Sequence, residues 1–339
     1  METFMRGRAF LAVVALLAVA SLGGCRLPWQ CPLGDDGRPS CGGVLLGTTT
    51  ERPENALLAA ADDYAGRPFG MVYRFHEIDE AFPTDEERAI VASGRLLHLS
   101  VDTRTGSSRE DLSWSAVAEG RHDAELEAQG RAIAALRAPV LVTYEHEMDQ
   151  ASKAALGGPE DFVAAWRHVH DVYERAGATN VVWVWVASGT VPTLERASRM
   201  WPGNDVVDWI SWDVYNPAGC RADRLSTDRH VSFEESFSVF DDWLRQNGPG
   251  LGIDVTKPKM VSETGSVVYP DDPALTARWY AEMPDVLRRH PDVVAVGLWD
   301  HTGIASCDYR FSAVPALRPA IRALAASDVF AELDVRPVR

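Results

Sequence analysis

Short apolar runs and amphipathic stretches alternate along most of this chain, from about residue 44 to about residue 325. The apolar runs are rich in Val, Ile, Leu and Trp, which is typical of parallel strands buried on both faces. The stretches between them repeat apolar residues at helical spacing, and Ser or Thr followed three residues later by Glu marks helix starts at Thr84 and Ser232. The predicted strands are Val44–Thr50, Met71–Glu77, Leu96–Asp102, Pro139–His146, Val181–Ala187, Val207–Tyr215, Lys259–Glu263 and Val293–Asp300. The predicted helices are Glu54–Tyr64, Thr84–Ala92, His122–Leu136, Pro159 to Gly177, Leu194–Met200, Ser232–Gln246, Asp272–Arg289 and Val314–Ala325.

Eight β/α units in sequence order indicate a parallel sheet with right-handed crossovers. Their combined length suits an α/β fold of the (β/α)₈ TIM barrel type, which needs roughly 250 residues. An open doubly wound sheet is the alternative, but Gly47-Thr48-Thr49-Thr50 at the first strand is not a dinucleotide-binding fingerprint. We therefore predict one barrel domain over residues 43–328, followed by a tail at 329–339.

The predicted strand ends carry most of the candidate chemistry, because the functional residues of a (β/α)₈ barrel lie at the C-terminal ends of its strands. That rim is acidic and aromatic, which suits a neutral polyhydroxyl ligand rather than an anion. The candidates are His76, Glu77, Asp102, Glu145, His146, Glu147, Trp185, Trp212, Asp213, Tyr215, Glu263, Trp299, Asp300 and His301.

Glu147 and Glu263 each follow an apolar run, on strands that face each other across the predicted barrel mouth. A pair of carboxyl groups flanking a glycosidic bond is what hydrolysis of that bond requires. Glu145 stands two residues before Glu147 on the predicted strand. We expect it either to share the side of Glu147 and raise the pKa of that residue, or to pair with a neighbouring Arg.

The N-terminus reads as a processing segment. Arg6 and Arg8 precede an apolar run from Ala9 to Ala20, followed by Leu22-Gly23-Gly24-Cys25, which resembles a bacterial lipobox. Residues 1–24 are predicted to be a lipoprotein signal peptide, with Cys25 lipidated, and residues 25–42 a tether. An ordinary secretory signal is the alternative. We expect an extracytoplasmic protein, secreted or in contact with a membrane only through its N-terminal lipid.

Cysteine usage agrees with export. Beyond Cys25 the chain has Cys31, Cys41, Cys220 and Cys307, and an even number in an exported protein predicts disulfides. Three pairings are possible. We favour Cys31–Cys41 with Cys220–Cys307, because the second bridge would tie two late loops on the same rim.

Charge and motif content exclude several classes of function. The net charge is −16 with no basic stripe, which argues against a nucleic-acid partner. No metal-ligand spacing of His residues and no Gly-x-Ser-x-Gly nucleophile elbow occurs in the sequence. We expect no metal and no cofactor, a polysaccharide or oligosaccharide as the partner, and a monomer.

Four motifs in order resemble those of the family 26 glycoside hydrolases, barrel enzymes rich in β-mannanases, and the resemblance covers roughly residues 44–325. They are His146-Glu147-Met148-Asp149, Asn180-Val181-Val182-Trp183-Val184-Trp185, Asp208-Trp209-Ile210-Ser211-Trp212-Asp213-Val214-Tyr215-Asn216 and Lys257-Pro258-Lys259-Met260-Val261-Ser262-Glu263-Thr264-Gly265.

The resemblance implies a role for each matching residue. Glu147 matches the acid/base and Glu263 the nucleophile of a retaining glycosidase. His146 matches a histidine that shapes the sugar subsite, and Tyr215 a tyrosine that hydrogen-bonds the nucleophile. Trp299 matches a sugar platform. His76, Trp185, Trp212 and Asp213 are expected as further sugar contacts at the same rim.

The sequence departs from the family pattern directly after the predicted acid. The family usually has Asn after the His-Glu-Met and then a Trp-rich loop, whereas this chain continues Asp149-Gln150-Ala151-Ser152-Lys153 with no aromatic residue. This departure weighs against β-mannan specificity more than against hydrolase chemistry. The resemblance implies β-1,4-mannan as the leading substrate, with mixed-linkage β-glucan and β-xylan as alternatives. A non-catalytic glycan-binding barrel is the alternative from another class of function.

Overall fold

A computed structural model of the chain describes residues 39–40, 42–50, 54–103, 113–220, 229–302 and 307–331. Eight parallel strands close into a barrel in sequence order, with helices between them, so the predicted (β/α)₈ barrel is confirmed. The strands are β1 Leu45–Thr50, β2 Met71–Glu77, β3 Leu96–Asp102, β4 Val140–Tyr144, β5 Val181–Ala187, β6 Trp209–Asn216, β7 Lys259–Ser266 and β8 Val293–Asp300. The α-helices of the described residues are α1 Glu54–Ala65, α2 Asp85–Ala92, α3 Trp114–Ala118, α4 Asp123–Ala134, α5 Pro159–Arg175, α6 Leu194–Ser198, α7 Phe233–Asn247, α8 Pro273–Arg289 and α9 Arg318–Ala325.

Strand alternation divides the buried side chains into two layers. One buried apolar cluster has members from seven of the strands, and Leu96 of β3 packs against it, so the cluster fills the barrel interior. Its members include Leu45, Met71, Leu141, Trp209 and Met260. A larger cluster joins the outward-facing strand residues to the helices. Because successive strand residues point to opposite sides, whether a side chain reaches the mouth or the helix layer depends on its position within the strand.

The two predicted helix starts are formed by reciprocal caps. Thr84 accepts from the backbone N–H of Glu87, whose side chain in turn accepts from the backbone N–H of Thr84. Ser232 and Glu235 form the same pair at the start of α7. Each cap satisfies two backbone donors that a helix end would otherwise leave without partners.

Two strand ends near the predicted site differ from the sequence prediction, and one helix was not predicted. Strand β4 ends at Tyr144 rather than His146, because Glu145 and Glu147 have positive backbone φ angles of 56° and 49°, which a strand does not allow. Strand β7 continues past Glu263 to Ser266. Helix α3 was not predicted, since its five residues are too few for a periodic pattern to show.

The two ends of the domain meet at the N-terminal side of the barrel. The backbone of Val44 bonds to Val329 and Ala331, and Phe330 is buried. The packed domain therefore extends at least three residues beyond the predicted boundary at 328. The predicted signal peptide, Cys25 and the predicted Cys31–Cys41 bridge lie outside the described residues. Within those residues, no helix combines the length and apolar character needed to cross a membrane.

Candidate active site

Strand β7 contains one residue more than either neighbouring strand over the stretch that includes Glu263. Val261 and Thr264 are three positions apart, yet on both sides they pair with residues only two positions apart. Such a bulge turns two consecutive side chains to the same side of the sheet. Ser262 reaches Ser211 inside the barrel, and the next side chain, Glu263, also faces inward. Without the extra residue, Glu263 would point into the helix layer.

Gly297 on β8 provides the space that the bulge needs. A Cβ atom at this position would lie 2.2 Å from the backbone oxygen of Ser262. The clash would be with backbone, so no change of rotamer could relieve it. Glycine is therefore required at this position by the path of β7.

We predict that Gly297→Ala forces the Ser262 carbonyl away and lowers the free energy of unfolding by about 2 kcal/mol, a typical result of overpacking a core. Urea denaturation measures this change. Gly250→Ala is the matched control, because a Cβ there has nothing within 4 Å. Equal stability of Gly297→Ala and wild type would show that the bulge does not depend on this glycine.

Glu263 is held at the mouth as a buried carboxyl group with one defined partner. It is 5% exposed, and its Oε2 accepts a 2.7 Å hydrogen bond from the hydroxyl of Tyr215. Its Oε1 has no hydrogen-bond partner in the described structure. Burial raises the pKa of Glu263 to about 7, and the charge of Glu147 adds to the rise, while His146 and the Tyr215 hydroxyl oppose it.

This raised pKa predicts that Glu263→Gln stabilises the protein at high pH. Between about 4.5 and about 7 the folded state binds more protons at Glu263 than the unfolded state, so the free energy of unfolding falls as pH rises. The neutral amide should therefore add about 1–3 kcal/mol at pH 8 and almost nothing at pH 4. Denaturation at the two pH values tests this. Glu127→Gln, on the exposed face of α4, is the control, and the same gain at both pH values would contradict the burial argument.

Glu147 lies in the turn that follows β4. Its backbone N–H bonds to the carbonyl of Val186 at 3.0 Å, which fixes the turn against β5, and the Gln150 amide donates to its Oε2. Ser152 donates to the other end of that amide, to Oε1 at 3.2 Å. Burial raises the pKa of Glu147, and the neighbouring Asp149 adds to the rise. Gln150 was not among the predicted site residues.

Asp213 adds a third carboxyl group to the mouth. It is 3% exposed, and neither of its oxygens reaches hydrogen-bonding geometry with a described residue. Burial raises its pKa well above the usual range, and the charges of Glu263 and Glu147 raise it further, while the nearby backbone N–H of Glu263 lowers it. Asp213 is therefore a third buried carboxyl group whose pKa is raised by burial and by the charges of the two glutamates.

His146 lies between the predicted acid and β3. Its Nδ1 is 2.9 Å from the Ser100 hydroxyl and 3.2 Å from a carboxylate oxygen of Asp102. Burial lowers the pKa of His146, but the charge of Asp102, the hydrogen bond to Asp102 and the charge of Glu263 together outweigh burial, and the net shift is upward. The arrangement favours a protonated imidazole whose orientation is fixed by β3.

Aromatic rings form one wall of the mouth. Trp299 is partly exposed and meets Phe75 and Tyr215 edge to face, at centroid distances of 5.8 and 6.4 Å. Tyr309 lies 5.0 Å from Tyr215. Phe75 and Tyr309 were not predicted. Phe75 stands one residue before His76, the site residue predicted on β2, and Tyr309 follows a segment that has no strand signal of its own.

The predicted Cys220–Cys307 disulfide is present, with a Cα–Cα distance of 5.0 Å. It links the segments that follow β6 and β8, and it packs with Tyr309, Tyr215 and Trp299 in one small cluster. The bridge therefore fixes the aromatic wall from outside the barrel.

Three predicted sugar contacts lie away from the mouth. Trp185 donates to the Met200 carbonyl at 2.9 Å, and Trp212 stacks on Phe240, so both indoles are fully buried against the helices. His76 is bound between the carboxylates of two glutamates, Glu80 at 2.8 Å and Glu87 at 2.6 Å. The reason is alternation: Phe75, Asp213 and Tyr215 occupy the inward positions, so their strand neighbours face outward.

Mutation should separate the two kinds of tryptophan. Trp212→Ala is expected to lower the free energy of unfolding by about 3–5 kcal/mol, since it empties a fully buried site. Trp299→Ala should cost under about 1.5 kcal/mol, because that ring is partly exposed. Thermal and urea denaturation of both variants check the assignment, and similar losses would contradict it.

Glu145 does not share the side of Glu147 on a strand, as one of the two sequence expectations had it. Its positive φ removes it from β4, and its carboxylate pairs with Lys153 at 2.8 Å instead of an arginine. Across the described chain, no group of three or more His, Cys, Asp or Glu residues has a geometry that would hold a metal ion.

No family model matches the chain. Among curated proteins, it is 26% identical over 160 residues to a β-1,3-xylanase from Vibrio sp, covering 47% of this chain and 32% of that protein. It is 27% identical over 164 residues to endoglucanase H from Acetivibrio thermocellus, covering 48% of this chain and 17% of the other. The chain thus spans about a third or less of the length of these curated relatives.

Solved structures agree on the fold. A Cellulomonas fimi endo-β-1,4-mannanase superposes with a TM-score of 0.60 at 20% identity, covering 85% of this chain and 72% of that one. A family 26 β-mannanase from Bacteroides ovatus gives a TM-score of 0.57 at 16% identity, with 87% and 94% covered. This protein is a (β/α)₈ barrel with buried carboxyl groups at its mouth, and its fold is that of the family 26 β-mannanases. The family resemblance predicted from the motifs is confirmed at the level of the fold.

Proposed function

We propose that this protein is a retaining glycoside hydrolase that cleaves internal bonds of a β-glycan. The observation that carries the proposal is the pair Glu147 and Glu263, one partly buried and one buried carboxyl group at the barrel mouth whose charges interact. Of the two, only Glu263 accepts a hydrogen bond from the Tyr215 hydroxyl. When two carboxyl groups lie in different environments, one can serve in proton transfer and the other in nucleophilic attack.

In the first half of the proposed reaction, Glu147 gives its proton to the glycosidic oxygen while a carboxylate oxygen of Glu263 attacks the anomeric carbon. The bond from that carbon to the leaving oxygen breaks, and a glycosyl–Glu263 ester forms. The Tyr215 hydrogen bond favours the ionised form of Glu263 before attack.

In the second half, Glu147 removes a proton from water, and the resulting oxygen displaces Glu263 from the sugar. Forming the ester removes the negative charge of Glu263. The pKa of Glu147 then falls, because a like charge has disappeared, and this residue becomes able to act as a base. In this mechanism the two carboxyl groups are separated by about 5–5.5 Å, and the product keeps its anomeric configuration.

The substrate class rests on the neighbours and on the shape of the mouth. The solved structures that superpose are named β-mannanases, which supports β-1,4-mannan as the leading polymer. The curated relatives named as a β-1,3-xylanase and an endoglucanase favour β-xylan or β-glucan as the second candidate. The aromatic wall around Trp299 offers one stacking surface for a sugar ring, while the segment after Met148 contributes none up to Leu156.

We also propose that the enzyme works outside the cytoplasm. The Cys220–Cys307 bridge is typical of an oxidising compartment. The predicted lipobox at Cys25 would hold the catalytic domain at the cell envelope, close to its polymer or to the oligosaccharides released from it.

The first test is reducing-sugar release from galactomannan, glucomannan, mixed-linkage β-glucan, β-1,3-xylan and β-1,4-xylan by protein expressed from the full sequence. Release from one polymer should fall by at least about 1,000-fold in Glu263→Ala and Glu147→Ala, since each removes a reacting group. Proton NMR of the first product should show the retained anomer.

Glycan binding without turnover on any polymer would support the non-catalytic alternative instead. Affinity electrophoresis in gels containing each polymer measures such binding. Release that persists in Glu263→Ala would contradict the two-carboxylate mechanism, whichever polymer is cleaved.

A further inference from the structure

A short 3₁₀ helix, Ala151–Leu156, follows the turn that contains Glu147. Its buried residue Lys153 packs against that turn. The Nζ atom of Lys153 lies 2.8 Å from Oε2 of Glu145 and 3.3 Å from Oδ1 of Asp102. The lysine is 8% exposed and Glu145 is 1% exposed, so the pair is screened from water. The ammonium group therefore joins the start of the turn to the end of β3.

The connection continues to the two residues that precede Glu147. The other oxygen of Glu145 accepts from the backbone N–H of Thr103 at 2.5 Å, which ties the turn to the residue after β3. Asp102 in turn contacts Nδ1 of His146 at 3.2 Å. Glu147 is the next residue, so the network binds the turn at two of the positions that precede its acid.

The turn itself needs such support. Glu145 and Glu147 adopt φ angles of 56° and 49°, in a region that residues with a Cβ disfavour. Such backbone conformations persist where the surroundings over-determine them. Here two sets of contacts fix the turn. Lys153 makes ion pairs with Glu145 and Asp102, and the backbone N–H of Glu147 donates a hydrogen bond to the carbonyl of Val186.

The choice of residue type points the same way. The chain has 33 Lys and Arg residues, and only three of them are lysines. Two of these, Lys153 and Lys259, are buried in ion pairs with carboxylates. A compact ammonium can be placed between two carboxylates where a planar guanidinium fork does not fit.

We propose that Lys153 is a positioning residue for the acid/base Glu147, acting through Glu145 and Asp102, and that the segment which replaces the family's aromatic loop supplies it. This inference rests on the proposed function. Lys153 touches no substrate in this scheme. It fixes the backbone from which Glu147 reaches the leaving oxygen, so its loss removes acid catalysis more than it removes binding or nucleophilic attack.

Leaving-group dependence provides the test, because a good leaving group needs no proton. The substrates are galactomannan and 2,4-dinitrophenyl β-mannobioside, or the polymer and matching aryl glycoside that the substrate panel identifies. In Lys153→Met, kcat/KM on the polymer should fall by about 10–100-fold, while kcat/KM on the aryl glycoside should change by less than about threefold.

Lys259→Met is the matched control. Lys259 is a buried lysine paired with Asp292 at the opposite end of β7 from Glu263, so its replacement removes an equivalent ion pair away from the mouth. It should leave the ratio of the two kcat/KM values unchanged. Glu147→Ala should give the largest ratio of kcat/KM on the aryl glycoside to kcat/KM on the polymer, because it removes the acid itself.

A milder variant covers the case in which Lys153→Met does not fold. Glu145→Gln keeps the shape of the side chain and leaves Lys153 paired with Asp102, and it should lower kcat/KM on the polymer alone by about 3–10-fold. Equal losses on both substrates, or no loss on either, would overturn the proposal. Wild-type protein that cleaves no polymer, or Glu147→Ala without leaving-group dependence, would instead overturn the proposed function.

Discussion

One extra residue in β7 determines what this barrel can do. The alternation of a strand would turn Glu263 toward the helices, and the bulge between Val261 and Thr264 turns it into the mouth. At the bulge, the carbonyl of Ser262 lies so close to Gly297 that a Cβ atom at that position would clash with it. The contact between Glu263 and Tyr215 exists only because the bulge shifts the inward positions of β7 by one residue relative to β6.

Once Glu263 faces inward, the mouth has to hold several buried carboxyl groups at once. The structure meets this with different partners for each. Glu145 has the ammonium of Lys153, and Asp149 accepts from the backbone and the hydroxyl of Ser188, each at 2.9 Å. The side-chain oxygens of Asp213 and one oxygen of Glu263 reach good hydrogen-bonding geometry with no described residue, although the backbone N–H of Glu263 lies near Asp213. Unpaired buried polar groups are destabilising, so these positions are where a bound hydroxyl-rich ligand would contribute most.

The sequence predicted the barrel well because the barrel rests on local signals. Alternating periodicities, two capping boxes and the absence of a phosphate loop were enough to order eight strands. The site was harder, because strand ends were judged without knowing which way each residue faces. Trp185, Trp212 and His76 stand at strand ends but point outward, and the bulge that brings Glu263 inward leaves no mark on the local pattern.

Long-range contacts were also beyond the sequence. Lys153 lies only eight residues after Glu145, but it also pairs with Asp102 at the end of β3. Tyr309 follows the last strand, and it contacts Tyr215 on β6 although 94 residues separate them in sequence. The Cys220–Cys307 pairing was predictable because only three pairings existed and the barrel topology favoured one. The ion pairs had no comparable restriction, since any of many acidic residues could have met the lysine.

The electrostatics of the mouth favour the proposed catalyst over a glycan-binding barrel. A neutral sugar is held well by amides, hydroxyls and aromatic faces, none of which loses free energy by staying charged when buried. Here burial raises the pKa of Glu263 to about 7 and also raises the pKa of Glu147. A binding site would gain nothing from a raised pKa at Glu147, whereas a proton donor requires it, and the Tyr215 hydroxyl opposes the effect of burial at the proposed nucleophile Glu263. Glu145 and Glu147 also have unfavourable positive φ angles, and Lys153 pairs with Glu145 in the same turn. Such strain is typical of sites where a reacting group must be held in a fixed position at some cost in stability.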